Sequence, residues 1–227
     1  MTRTPRRISL ARAGGLLAAL GLAATSTVAL GQHSSTAAFT GQTADTNNTV
    51  TSAASFCVAP GGTTLTVTND TYVDEAAPLM THGGLAMLRV AAGTGTRAHV
   101  YLRFTLTTPL PAHCTITGAT LRLYATSSQG PGTIMVHRAS TTWSSGANTW
   151  NTVPRPAPAG TGVGAAAGAA GLHTWDVTTL TSELYAGTND GFLVKDAVET
   201  NPARATIYES FDSGTAANRP QLVLTWG

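Results

Sequence analysis

Between Arg97 and Tyr124 the chain alternates with a period of two. Ala98, Val100, Leu102, Phe104 and Leu106 fall on one side of the pattern, and His99, Tyr101, Arg103 and Thr105 on the other. After Thr107-Thr108-Pro109-Leu110-Pro111 the alternation resumes, with Ala119, Leu121 and Leu123 against Thr120, Arg122 and Tyr124. This predicts two strands joined by a short turn, each with one face for a core and one polar face, as in an antiparallel sheet. Both polar faces carry Arg and Tyr.

Shorter runs of the same kind extend along the chain. Leu65, Val67, Tyr72 and Val73 mark the first strands, and Leu85, Met87, Leu88 and Val90 another after His82-Gly83-Gly84. Ile134 to Arg138 follows the Gly130-Pro131-Gly132 turn, and Leu172 to Val177, Gly191 to Val194, Ala205 to Tyr208 and Gln221 to Trp226 close the set. Leu180, Leu184 and Tyr185 stand near helical spacing, which predicts one short helix. Trp143 to Pro154 reads as a loop. Residues 155–171, rich in Pro and then in Gly and Ala, are expected to cross the surface as a long connection without a strand. About ten short strands with turn signals between them predict an all-β, antiparallel β-sandwich of the jelly-roll kind, with at most one short helix.

Residues 1–31 read as a signal peptide: a basic start, an apolar run from Ala13 to Leu22, and a small-x-small cleavage site at Ala29-Leu30-Gly31. Thr25, Ser26 and Thr27 interrupt the run and no basic flank follows, which argues against a permanent membrane span. After signal removal no membrane partner is expected. Residues 32–62 form a polar tether and residues 63–227 the globular domain. The formal net charge of +2 includes Arg3, Arg6, Arg7 and Arg12 of the leader; without them nine Lys and Arg face eleven Asp and Glu, a net of −2. A basic nucleic-acid-binding surface is therefore excluded. Cys57 and Cys114 are the two cysteines, and in an exported chain they most simply form one disulfide, the alternative being two unpaired thiols.

Ser35-Thr36-Ala37-Ala38-Phe39-Thr40, Asp45 to Val50 and Ala53-Ala54-Ser55-Phe56 resemble the start of camelysin-like, biofilm-matrix-type secreted proteins, which implies export and a surface setting. A longer ordered set of landmarks runs from about residue 65 to the end. It comprises Asp70-Thr71-Tyr72-Val73, Gly83 with Leu88 and Val90, Tyr101-Leu102-Arg103-Phe104, Leu110-Pro111, and Ile116 with Ala119 to Tyr124. Trp143, Thr149-Trp150-Asn151, Pro154 and Trp175 to Thr178 follow, then Gly191-Phe192-Leu193, Phe211-Asp212-Ser213 and Pro220 to Val223. Together they resemble the DNRLRE-domain family, also described as carbohydrate-binding module family 96. The resemblance implies a secreted β-sandwich that binds polysaccharide. Asp74-Glu75-Ala76 departs from the basic-acidic run of that family, and Ser145 stands where an acid is expected after Trp143.

Five side chains are the candidate ligand contacts: His99, Tyr101, Arg103, Arg122 and Tyr124. A ring packs on the apolar face of a sugar, and a guanidinium bonds hydroxyls or carboxylates. The competing reading has them in cross-strand pairs or under a covering loop. Trp143 and Trp150 are either stacking platforms or pins for their loop, and Trp175 and Trp226 belong to the core. Asp70, Asp74 and Glu75 could hold a structural calcium, or form a solvated acidic turn. No catalytic motif is present; Glu209 and Asp212 are the least poor acid pair, and a lyase would have to use His99, Tyr101 and Arg103. The sequence thus points to a secreted, extracellular, non-catalytic module that recognises a polysaccharide at the cell surface or in the matrix, with the cell wall as a further partner. The alternatives are a matrix adhesion unit without glycan specificity, and a polysaccharide lyase or hydrolase.

Overall fold

The fold is seen in a computed structural model, which describes residues 56–106, 109–153, 159–200 and 204–227. The expected signal peptide, most of the tether and the camelysin-like segment lie outside the described residues. Among the described residues ten strands and one α-helix succeed one another: β1 (Gly61–Asp74), β2 (Met87–Ala92), β3 (Ala98–Phe104), β4 (Ile116–Ser128), β5 (Gly132–Arg138), β6 (Ala159–Ala167), β7 (Gly171–Asp176), α1 (Thr178–Ala186), β8 (Phe192–Asp196), β9 (Arg204–Glu209) and β10 (Gln221–Trp226).

All pairings are antiparallel, in the order β1-β10-β4-β9-β2-β3-β8-β5-β6, with β7 on the other side of β4. β1 closes this sheet on itself. Its first half, Gly61 to Thr66, pairs with β10, and its second half, from Val67 to Asp74, pairs with β3. A register shift between Val67 and Asn69 turns the strand from one layer into the other, as an extra residue does by bending a strand. The result is a barrel-like antiparallel sandwich.

The inward faces are those the alternation predicts. Val100, Leu102, Phe104, Leu121 and Leu123 are all buried, with Trp175 and Tyr208 among the largest enclosed side chains. The Trp175 indole donates to the Ile134 carbonyl at 3.0 Å, so a polar edge in the core is satisfied as burial demands. The predicted helix forms as α1. Asp176 Oδ1 accepts from the Thr178 amide and hydroxyl, and Leu180 and Leu184 point to the core.

Two expectations are corrected. β3 and β4 are not partners: β4 lies between β7 on one side and β10 and β9 on the other, while β3 pairs with β1, β8 and β2. The Gly/Ala-rich stretch expected to be a bare connection contains β6, which pairs with β5 from Gly132↔Ala167 to Arg138↔Ala159. Its small residues answer a steric demand. His137 lies over Gly162, and Thr133 and Met135 lie over Gly164, so β6 leaves room for the side chains of β5.

Candidate functional site

The structure separates the five candidate ligand contacts into two groups. His99, Tyr101 and Arg103 share the outer face of β3, and the loop from Ala139 to Val153 lies across it. Tyr101 is 4% exposed and His99 7%. With Val73, Ala139, Trp143, Trp150, Val153 and Leu193, Tyr101 forms a second, smaller core outside the sheet. The Tyr101 and Trp143 rings lie 5.7 Å apart, and the Arg103 guanidinium sits 4.6 Å over the Trp143 ring while donating to its carbonyl. Trp150 packs between His99, at 5.0 Å, and Arg97, at 5.4 Å. Of the two readings of the β3 face, the covering loop is the one seen: Trp143 and Trp150 pin their loop there, and the apolar area they cover is best used that way.

His99 bonds Glu199, whose other oxygen accepts from Lys195 at 3.2 Å. The His99 bond, with Lys195 beside it, holds the Glu199 carboxyl down to about 2. Glu199 and Lys195 form an ion pair at the edge of the covered face.

Asp70, Asp74 and Glu75 each have their own partner. Asp74 pairs with Arg89 at 2.5 Å and Glu75 with Arg97 at 2.5 Å. The Arg97 bonds hold Glu75 down to about 2. Asp70 is 5% exposed and faces inward beside Leu102, its cross-strand partner; its Oδ2 accepts from the Phe211 amide at 2.7 Å. Burial pushes its carboxyl up to about 6, against the lowering effect of that amide and with Asp212 adding to the rise. Among the described residues no group of three or more His, Cys, Asp or Glu is arranged to hold a metal ion. The three carboxylates do not meet.

Arg122 and Tyr124, by contrast, stand on the outer face of β4 and are only half-buried. Register places Thr174 of β7 and Gln221 of β10 directly on either side of Arg122. One step along, Leu172 of β7 is opposite Tyr124. On the far side the Ala125–Tyr208 pair puts Glu209 next to Tyr124, and Met87 of β2 pairs with Glu209. Two rows therefore cross the strands: Thr174–Arg122–Gln221, and Leu172–Tyr124–Glu209–Met87. Neighbouring strands are about 4.8 Å apart, so each row advances in steps of about that length.

The electrostatics of this face differ from the rest of the surface. Arg89, Arg97, Arg138, Lys195 and Arg204 are paired with acids, and Arg103 and Arg219 donate to carbonyls. Among the described Arg and Lys residues, Arg122 alone has no hydrogen bond or ion pair, and its Nε is enclosed without an acceptor. Asp176, the nearest acid on β7, is committed to Thr178. The side chains of Tyr124, Thr174, Gln221 and Glu209 also make no hydrogen bond. A cation with donors to spare, a ring and several free polar groups are thus set in register on one sheet face.

The model of carbohydrate-binding module family 96 matches residues 62–226. The chain belongs to that family. A comparison with curated proteins finds no match. Membership in family 96 agrees with the observed sandwich, and the match covers every strand but the first residue of β1. It also accommodates the Cys57–Cys114 disulfide, which lies just ahead of the matched region at one end and inside it at the other. Arg122 and Tyr124 are legible in the sequence of this family member as outward residues. Leu172, Thr174, Glu209 and Gln221 join them only through pairings between distant parts of the chain, for which the sequence carries no local signal.

Proposed function

We propose that the protein is an exported, non-catalytic module that binds a polysaccharide at the cell surface or in the extracellular matrix, through the outer face of β4. The observation that carries this reading is Arg122, a half-buried guanidinium without a protein partner, two positions from Tyr124 on the same face of β4. Removing a guanidinium from water without an acceptor is unfavourable, and a sugar carboxylate or a pair of hydroxyls supplies the missing acceptors. Tyr124 offers an apolar surface for the pyranose ring with a free hydroxyl at its edge. The unpaired cation favours a carboxylate-bearing polymer. Family membership supports the carbohydrate class, and the disulfide supports an oxidising compartment.

The spacing of the two acids that flank β4 supports binding without hydrolysis by that pair. Asp176, opposite Thr120, and Glu209, beside Tyr124, flank β4 on opposite sides and lie four positions apart along it. At the usual rise that is about 13 Å along the strand, beyond the roughly 5–9.5 Å that glycoside hydrolysis requires of its two carboxyl groups.

Affinity electrophoresis against a panel of neutral and uronic-acid polysaccharides tests the proposal. Retardation is expected in at least one acidic gel, and Arg122→Ala and Tyr124→Ala should each abolish most of it. Migration unchanged in every gel would overturn the reading.

A further inference from the structure

The two rows of the β4 face are joined by a loop. Glu209 ends β9 in the Tyr124 row and Gln221 begins β10 in the Arg122 row, so residues 210–220 leave from one row and return to the other. Both strands lie on the same side of β4, end to end, and the loop connects them. It is a built structure. The Phe211 amide donates to the buried Asp70 carboxylate, and Ser210 Oγ donates to the Leu85 carbonyl at 2.5 Å. Arg219 donates twice to the Ser213 carbonyl, at 3.1 and 2.9 Å, and Val67 N donates to the Pro220 carbonyl at 3.1 Å.

On this fixed frame the Phe211 ring is 39% exposed, whereas Trp143, Trp150 and Trp175 are buried. The Arg219 guanidinium lies 5.3 Å over the ring and has no acid partner. This sets an exposed ring with a guanidinium held over it at the end of β9, beyond the row that holds Tyr124.

We propose that Phe211 and Arg219 form a second sugar subsite, so that the protein takes an internal stretch of an extended polysaccharide rather than a single terminal sugar. This rests on the reading of the β4 face as the primary site. A chain engaged at Tyr124 presents its following sugars to the loop at high effective concentration, which raises affinity with length without strengthening the first contact.

Titration calorimetry of the full chain with galacturonate oligomers, from the disaccharide to the octasaccharide, tests this. Wild-type affinity should rise by about tenfold or more along the series, the contribution expected of one added ring-and-cation contact. Phe211→Ala should bind the disaccharide as wild type does but lose most of the rise, and Phe211→Trp, which keeps a ring, should retain it. Arg122→Ala should weaken all lengths alike. If Phe211→Ala follows wild type at every length, the second subsite is overturned and the primary face stands. If wild type binds no galacturonate oligomer, the assignment of the face to uronic-acid polymers falls, and the second subsite with it.

Discussion

Gly162 of β6 lies beneath the imidazole of His137 on β5, so close that a methyl group on the glycine would occupy the space of the ring itself. At Gly164 the obstructing atoms are instead the ends of Met135 and Thr133. Gly162→Ala should therefore destabilise the protein by about 1–3 kcal/mol, because the ring must leave its place against β6. Gly164→Ala should cost less, since a methionine tip can turn aside. Urea unfolding of the two variants checks the order, and an equal loss would contradict it.

The two outward tyrosines make opposite predictions. Tyr101→Ala empties a site packed against Trp143 and should cost about 3 kcal/mol of stability, with any loss of binding only a consequence of unfolding. Tyr124→Ala should leave stability within about 1 kcal/mol while removing polysaccharide retention. Thermal unfolding and affinity electrophoresis, run on both variants, separate the two roles.

The sequence presents these residues identically. Period-2 alternation marks His99, Tyr101, Arg103, Arg122 and Tyr124 as outward, but whether a loop or water meets them depends on packing that the alternation does not encode. The same pattern located the inward faces of β3 and β4 because burial of Leu102 or Leu121 is a property of the strand itself. The register was not legible: Arg122 meets Gln221, 99 positions further along the chain. β6 is hidden from the sequence for a related reason. Its glycines look like a connection by propensity, and only the side chains of β5 show why a strand there has to be small.

Asp70 gives the fold a pH dependence with a defined sign. Its folded value of about 6 lies above the ordinary 3.8, so the folded state holds the proton more tightly than the unfolded one. Stability is therefore greatest below the ordinary value and falls as pH rises from about 4 to about 6, by about 2–3 kcal/mol for this group alone. Asp70→Asn keeps a carbonyl for the Phe211 amide and carries no charge, so it should stabilise the protein at pH 7 and flatten the slope in that window. Glu199 and Glu75 act in the opposite sense at lower pH. Their depressed values mean that stability present above about 4.5 is lost as pH falls towards about 2. Denaturant midpoints from pH 3 to pH 7 for wild type and Asp70→Asn test the assignment.

Cys57 and Cys114 are separated by 57 positions, and their bond limits the freedom of the unfolded chain. On the chain-entropy account its loss costs about 4 kcal/mol. Paired Cys57→Ser and Cys114→Ser variants should show a lower unfolding midpoint than wild type, and wild type in reductant should move towards them.

The same bond has a mechanical side. A pull arriving along the chain from residue 56 reaches Cys57 and is handed across to Cys114, two positions before β4 begins, as well as into β1. β4 also carries Arg122 and Tyr124. A load between the leading segment and a polymer held on that face thus runs lengthwise through one strand, flanked by β7 and by β10 and β9. Rows of hydrogen bonds on both sides are then loaded together in shear, rather than parted one at a time, and the route bypasses the sandwich interior.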